Sequence, residues 1–507
     1  MKTLNKLLFA VTFVAVIVGC SMAPPAGTIT FTIPASYIDP QGSVEGARGT
    51  GVATTVRIWM ESRNQPKPLG TTTAYYEQAI PDTRTVTLEG IVPATQCVVF
   101  LSLGEGTGSG FTPLRYAASS AFDVIAGSTA YVLMTPATSP FEKLASYVDP
   151  EGVRSLDTDY GLYFLAEDTL YRYGEPEPLL TIAGANSLDA GKVIVPDVQA
   201  LGAFRIWINA ADGIHVYDPA LRVSEGVLAG TDGYNIVESG IVRVQMDGTP
   251  YDIPYYQRPG SAGGAYFNQG AWEWVDAIGY LRDNPNMADL YNLIKDATSR
   301  LIADLELHYD VDGNISYGYA VVPILNTFRI PASIANLFGD GAEPIPDPVT
   351  FDWIKRTFLQ PSYLVDVPLV EGIKPLIKSI SEAGGYVYIG TNQGIFVGTT
   401  GTEGAINEGS LTYVTLPRKV EIARVRATEY EGFTWAAALT RKGAVEILRN
   451  GQFLTGYRFH TGVPEAEDGL AEKTGELYWT ADGLVVAGTN GVVRMGWDKI
   501  LALAPAD

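Results

Sequence analysis

Tyr251, Tyr255, Tyr256, Tyr266, Phe267, Trp272 and Trp274 crowd into one short stretch of the chain. Between them stand Gln257, Arg258, Asn268, Gln269 and Glu273. Flat aromatic faces beside amides and charged groups suit a glycan or a peptide. The rings supply contact area at low entropic cost, and the polar neighbours fix orientation. Tyr255, Tyr256, Trp272 and Trp274 are the candidate ligand-binding residues. Aromatic side chains also dominate cores, and packing of this stretch onto a neighbouring sheet is the competing expectation, and the favoured one.

Other residue types with chemical potential are sparse. The three histidines, His215, His308 and His460, are far apart in the chain. No His-Glu-x-x-His and no Cys/His cluster occurs, so no metal site of the zinc type is expected. No Gly-x-Ser-x-Gly elbow is present. The glycine-rich run from Gly104 to Gly110 lacks the Lys-Ser/Thr of a phosphate cradle and opens no helix. Asp310, Asp312 and Asn314 place three oxygen-bearing side chains at alternate positions, a weak calcium candidate. The glycine and glutamate spacing of an EF-hand is missing, and a hairpin turn at Asp312-Gly313 explains the segment. Glu465, Glu467 and Asp468 read as a solvated loop. No cofactor is implied.

The elements around these residues read as strands. Thr28-Ile29-Thr30-Phe31-Thr32-Ile33 alternates with period two, as do Thr55 to Met60 and Ala130 to Leu133. Turn residues separate them, and residues 28–138 are expected to form a β-sandwich. Val86 to Pro93 and Phe122 to Thr129 resemble strand ends of the Ig-like or transthyretin-like modules of exported bacterial proteins. That resemblance implies a spacer or docking role without chemistry. Cys97 lies in an apolar strand, Gln96 to Phe100, and reads as a buried structural thiol.

From residue 150 to 507 a different unit repeats: strand, polar turn ending in Gly, strand. It occurs at Phe204–Tyr217, Tyr386–Val397, Phe433–Leu448 and Leu484–Met495, with a degenerate copy at Tyr160–Tyr173. Gly394, Gly443 and Gly491 are 49 and 48 residues apart. Small antiparallel sheets repeating at roughly 40–50 residues are the signature of a β-propeller, in which a ring of blades buries what one blade cannot. The turns at 390–394 and 488–491 resemble the propeller repeats of bacterial sensor-type proteins. A second sandwich array is the rival. The repeat is interrupted at about 258–375, read as an insertion or as degenerate blades carrying one, with an amphipathic helix from Met287 to Leu305, capped by Asn286, and a helical piece from Phe351 to Phe358. The expected fold class is therefore all-β, an N-terminal β-sandwich followed by a β-propeller with a partly helical insertion.

The N-terminus carries an address. Lys2 and Lys6 precede an almost wholly apolar run from Leu7 to Val18, too short for the roughly 20 residues of a membrane-spanning helix. The run ends Ile17-Val18-Gly19-Cys20-Ser21. This resembles the lipobox of bacterial lipoproteins, with Val18 where Ala or Ser is more usual. The resemblance implies that residues 1–19 are a removed signal peptide, that Cys20 is the lipid attachment site, and that residues 20–27 form a tether. Ser21 rather than Asp after the cysteine implies the outer membrane over the inner membrane of a cell envelope.

Net charge is −21, and loss of Lys2 and Lys6 with the signal takes it to −23. Such a field repels nucleic acid and anionic lipid. The expected partners are thus the membrane, through the lipid, and a protein or glycan ligand. The sequence supports a non-catalytic binding or scaffold lipoprotein. The alternative is a propeller enzyme acting on extracellular glycans, in which carboxylates from different blades would converge near the ring axis.

Overall fold

A computed structural model describes residues 26–38, 52–65, 68–69, 75–107, 112–137, 141–145, 154–166, 168–175, 177–194, 201–246, 249–258, 264–268, 270–275, 283, 285, 304–309, 315–322, 326–331, 356, 361–416, 421–440, 444–455, 459–460, 476–488 and 491–505. Cys20, the calcium candidates Asp310, Asp312 and Asn314, and the expected helix up to residue 303 lie outside the described residues. Described residues up to 137 form one compact unit and those from 141 onward a second.

The first unit is a β-sandwich. One sheet has Gly27–Thr32 at its centre, antiparallel to Thr85–Ile91 and parallel to Thr129–Val132. The other has the order Tyr76–Ala79, Thr55–Glu61, Ala94–Glu105, Thr112–Ser119, Met134–Ala137, with Phe122–Val124 paired beside Ala94–Glu105. The two-residue period decides what is inside. Ile29, Phe31 and Ile33 point into a core shared with Val56, Ile58, Met60, Val99 and Leu101. Thr30 and Thr32 face outward and hydrogen-bond Thr87 and Thr85 across the strand pair. Cys97 is fully buried in this core.

The second unit is built of seven sheets among the described residues. Blade 1 is Arg154–Thr158, Gly161–Ala166, Thr169–Arg172 and Leu180–Thr181. Blade 2 is Ser187–Ile194, Leu201–Ala210, Gly213–Asp218 and Val223–Val227. Blade 3 is Glu238–Met246, Thr249–Gln257, Gly264–Asn268 and Ala271–Val275. Blade 4 has three strands, Asp304–Tyr309, Ile315–Val322 and Asn326–Pro331. Blade 5 is Ile377–Ala383, Tyr386–Thr391, Gly394–Thr399 and Thr412–Val414. Blade 6 begins Ile422–Tyr430, Phe433–Thr440, Ala444–Arg449 and Gln452–Thr455. Blade 7 is Glu476–Thr480, Gly483–Gly488 and Gly491–Gly496, and its fourth strand is Phe141–Ala145, from the start of the unit. That last pairing, with Phe141 opposite Met495, ties the beginning of the unit to its end.

The first strand of each blade lies innermost. Those of blades 1, 2 and 3 pack in succession, as do those of blades 4, 5, 6 and 7, and the blade 7 strand packs on that of blade 1. The fold is a β-propeller.

Of the two readings of the stretch from about 258, an insertion or degenerate blades carrying one, the described residues fit the second: they hold the third and fourth strands of blade 3 and all of a three-stranded blade 4. Leu305, placed by the sequence pattern at the end of a helix, is an exposed residue of the strand Asp304–Tyr309. The hairpin expected from Leu305 to Ala320 is present as the antiparallel pair Asp304–Tyr309 and Ile315–Val322.

A local device recurs at the turns. Thr158, Thr391 and Thr480 each donate from Oγ1 to the carbonyl three residues on, at Gly161, Gly394 and Gly483. The same three hydroxyls accept the backbone N–H of Tyr160, Gln393 and Asp482. The threonine thus replaces backbone bonds that a two-residue turn leaves unmade. The closing residue needs positive φ, 132° at Gly394, where a β-carbon would also come within 2.9 Å of the Tyr413 hydroxyl.

Candidate functional site

Two clusters of the propeller hold side chains capable of chemistry. The first runs along the innermost strands of blades 4 to 7. An innermost strand has one edge unused by its own sheet, and its N–H groups need acceptors. Side chains of the preceding blade supply them. Asp304 Oδ2 accepts from Ile380 N at 3.1 Å and Glu306 Oε1 from Glu382 N at 2.7 Å. Ser379 and Ser381 accept from Val425 N and Ala427 N, both at 3.0 Å. Blades 2 and 3 repeat the scheme, with Asp189 Oδ2 accepting from Ser239 N at 2.9 Å. Burial is the main influence on Asp189, and its carboxyl is pushed up to about 6 despite the bonds from Ser239 and Asn209.

Charge is concentrated on this scaffold. Arg426 donates to both oxygens of Asp304, from Nη1 at 3.1 Å and Nη2 at 2.9 Å, and its Nη1 also reaches the Val425 carbonyl at 2.8 Å. Ser379 Oγ adds a 2.5 Å bond to Asp304. Glu476 takes Arg424 Nε at 2.8 Å and lies 3.7 Å from Arg426 Nη2. Burial alone would raise the Asp304 carboxyl, but Arg426, Arg424 and Ser379 outweigh it and hold it below the ordinary carboxylate range.

Beside this network His308 Nε2 lies 2.9 Å from Glu306 and 3.8 Å from Glu382. Its ring stacks on Tyr317, centroids 4.4 Å apart, and meets Tyr319 edge-on. Burial pulls the imidazole down, but the hydrogen bond and charge of Glu306 and the charge of Glu382 prevail, leaving it above its ordinary value. Glu382 also accepts from the Tyr317 hydroxyl at 2.6 Å, from Gly385 N and from Thr400 Oγ1, both at 3.1 Å. Burial first, then this carboxylate, raises the Tyr317 phenol. Two carboxylates from different blades do converge on one imidazole, but both oxygens of Glu382 and Oε1 of Glu306 are occupied in structural bonds. Among the described residues no group of three or more His, Cys, Asp or Glu is arranged to hold a metal ion.

The second cluster lies on blade 3. Its strands alternate in direction, so the connection entering the blade, the connection after Gln257 and the end of Ala271–Val275 share one face of the propeller. Tyr256, Ala265 and Trp274 stand directly opposite one another across three strands and therefore project from the same side of the sheet. Arg258, two residues past Tyr256, follows the same side. Its guanidinium carbon lies 3.6 Å from the ring centroid of Tyr234, 4.7 Å from that of Trp274 and 5.6 Å from that of Tyr256. Arg258 Nη2 donates to the Tyr256 hydroxyl at 3.0 Å. Its Nε is buried with no hydrogen-bond partner, and among the described residues no carboxylate pairs with it. The three rings offset part of the cost of a half-buried cation, because their faces carry negative charge density. Tyr234 and Trp274 remain 40% and 42% exposed.

No family profile matches the chain, and no curated protein sequence does. Solved structures do. A structure of BBS1N in complex with ARL6DN is 10% identical, with 70% of this chain and 93% of that one covered and a TM-score of 0.35. PorZ, a surface component of the type-IX secretion system of Porphyromonas gingivalis, is 11% identical over 83% of this chain and 59% of its own, TM-score 0.35. YCF48 bound to D1 peptide is 11% identical over 70% and 94%, TM-score 0.34. These are likenesses of fold.

The four aromatic residues singled out from sequence have separate fates. Tyr256 is core, packed with Trp207, Ile214, Val216 and Ile236. Trp272 wedges between Tyr256 and Phe267, with centroids at 4.8 and 5.4 Å, and its Nε1 donates to the Ala229 carbonyl at 3.1 Å. Tyr255 projects from the other side of the sheet, its hydroxyl 3.5 Å from Glu238. Trp274 alone of the four is exposed. Tyr234 and Arg258 were not candidates. Tyr234 sits in the connection from blade 2, where no strand pattern marks it. Arg258 was visible only as one polar residue among the aromatics. His215 pairs with Asp212 at 2.9 Å on blade 2, and His460 lies in the short strand Phe459–His460 beside blade 6.

Proposed function

We propose that the protein is a lipid-anchored binding or scaffold component of a bacterial cell envelope, held through Cys20 at the outer membrane. Its blade 3 face, Tyr234, Arg258 and Trp274, would present the surface that holds a protein or glycan ligand. The observation that carries this reading is the contrast in saturation. The carboxylates between blades 4 and 7 are spent on backbone N–H groups and arginines, whereas the guanidinium of Arg258 is under-bonded between exposed rings. Under-bonded polar groups beside exposed aromatic surface are what recognition sites offer.

The anchor rests on the residues from Leu7 to Ser21. No helix among the described residues is long and apolar enough to cross a membrane. Cys20→Ser should therefore abolish incorporation of labelled palmitate and move the folded protein from the membrane to the soluble fraction. Retention of the variant in the membrane fraction would refute the lipid anchor. For the ligand surface, Trp274→Ala and Tyr234→Ala should each weaken binding on glycan and peptide arrays. Unchanged array profiles for both variants would remove blade 3 from consideration.

A glycan-cleaving enzyme is the second reading, drawn from the convergence of Glu306 and Glu382 on His308. The bonds that Glu382 accepts from Tyr317, Gly385 and Thr400 weigh against it.

A further inference from the structure

We infer that Arg258 is a carboxylate-binding subsite, and that its ligand is a peptide presenting one free carboxylate, its C-terminus above all. The inference rests on the binding role proposed for blade 3 and names its ligand. An arginine has five N–H donors, and among the described residues Arg258 makes one bond, from Nη2 to the Tyr256 hydroxyl. Nε is closed off from solvent, so the donors left for a ligand are those of Nη1 and Nη2, and their chemical complement is a carboxylate, which can take two in parallel. Buried arginines elsewhere in the propeller have that complement built in. Arg205 is paired with Glu225 and Asp218, and Arg424 with Glu476. Arg258 is held in place by rings instead, and a guanidinium fixed that way loses little freedom when an anion docks.

Three features favour a peptide over an acidic glycan. Sugar rings bind by stacking on open aromatic faces, but the guanidinium already lies over the rings of Tyr234 and Trp274. A chain of net charge −21 opposes polyanions such as polyuronides, yet tolerates a single carboxylate on an otherwise neutral ligand. And Ala271–Val275 is the outermost strand of its sheet among the described residues, so main-chain groups beside Trp274 can pair with an extended peptide.

The test uses the full chain in detergent micelles. Random heptapeptides are arrayed with free C-terminal carboxylates and, in parallel, as C-terminal amides. Binders among the free acids should lose at least tenfold in affinity on amidation. Arg258→Gln should reproduce that loss, and Arg258→Lys should recover only part of it, since an ammonium lacks the planar fork. The amidation arm needs no variant, so a misfolded substitution leaves the inference exposed to refutation. Affinity indifferent to amidation but lost in Trp274→Ala would overturn the carboxylate subsite while leaving the binding face intact. Oligouronides bound through Arg258 in preference to peptides would overturn the ligand class. If the wild-type chain bound no peptide, the inference would fail, and the broader binding role would be judged on the glycan array alone.

Discussion

Arg426 and Arg258 are both half-buried arginines of the same propeller, and they differ in what surrounds them. Arg426 has both Asp304 oxygens, a backbone carbonyl and the nearby Glu476. Among the described residues Arg258 has one phenol oxygen and three ring faces. The first arrangement fastens blades to one another, because Asp304 belongs to blade 4, Ser379 to blade 5, Arg426 to blade 6 and Glu476 to blade 7. The second fastens nothing beyond its own surroundings and leaves hydrogen-bonding capacity for something else. A saturated ion pair inside a protein is an element of structure, while a near-surface arginine without a carboxylate is available for recognition.

The contrast can be broken most forcefully at Asp304. Asp304→Ala would take from Arg426 its bidentate carboxylate, leave Ile380 N short of an acceptor and leave the Ser379 hydroxyl only the Val425 carbonyl at 3.4 Å. Removing one partner of a buried pair costs about 3–5 kcal/mol. A fall of that size should appear in urea-induced unfolding followed by tryptophan fluorescence, since Trp479 Nε1 donates to the Arg426 carbonyl in the same network. A loss below about 1 kcal/mol would mean that the network is not what joins the blades.

A smaller effect is expected at His308. Its folded value lies above the ordinary imidazole value, so the charged form is favoured in the native state. The stabilisation is therefore full below the unfolded value of about 6.5 and disappears as pH rises through the folded value. Wild type should lose more stability than His308→Asn between pH 6 and pH 9. Parallel curves for the two proteins would show that Glu306 and Glu382 do not act on the ring as charges.

The smallest change in stability belongs to Arg258. Arg258→Met keeps a flexible side chain among the rings and removes a cation that has no carboxylate partner among the described residues, so stability should move by less than about 1 kcal/mol. A loss as large as that of Asp304→Ala would erase the distinction between the two arginines.

The parts of this fold that were legible in the sequence are those with local signals. The alternation of Ile29, Phe31 and Ile33 with threonines marks a strand with one dry face, and the sandwich bears it out. The propeller was visible where the second and third strands of a blade meet at a short turn, as at Gly213 and Gly394. Blade 3 lacks that mark, because residues 258–263 separate Gln257 from Gly264. In blade 4 the corresponding connection is Pro323-Ile324-Leu325, without glycine. The ion-pair network was not legible at all. Asp304 and Arg426 meet only because blades 4 and 6 flank blade 5, and no spacing in the sequence encodes that. The aromatic stretch was legible as a group but not by member. Whether Trp272 or Trp274 is covered depends on the connection from blade 2, whose Gly230 gives Trp272 its room.

The pairing of Phe141–Ala145 with Gly491–Gly496 has a consequence for the timing of assembly. The first strand of the propeller is among the earliest of its segments to be made, and the strand it pairs with is among the last. Until Gly491–Gly496 has emerged, the growing array ends in two raw edges, each a template for unwanted pairing with another chain. Secretion places this interval outside the cytoplasm if the leader acts as proposed, so the unfinished molecule would need shelter on the far side of the membrane. A released chain truncated before Gly491 should accordingly be far more prone to aggregate than one truncated just after Gly496.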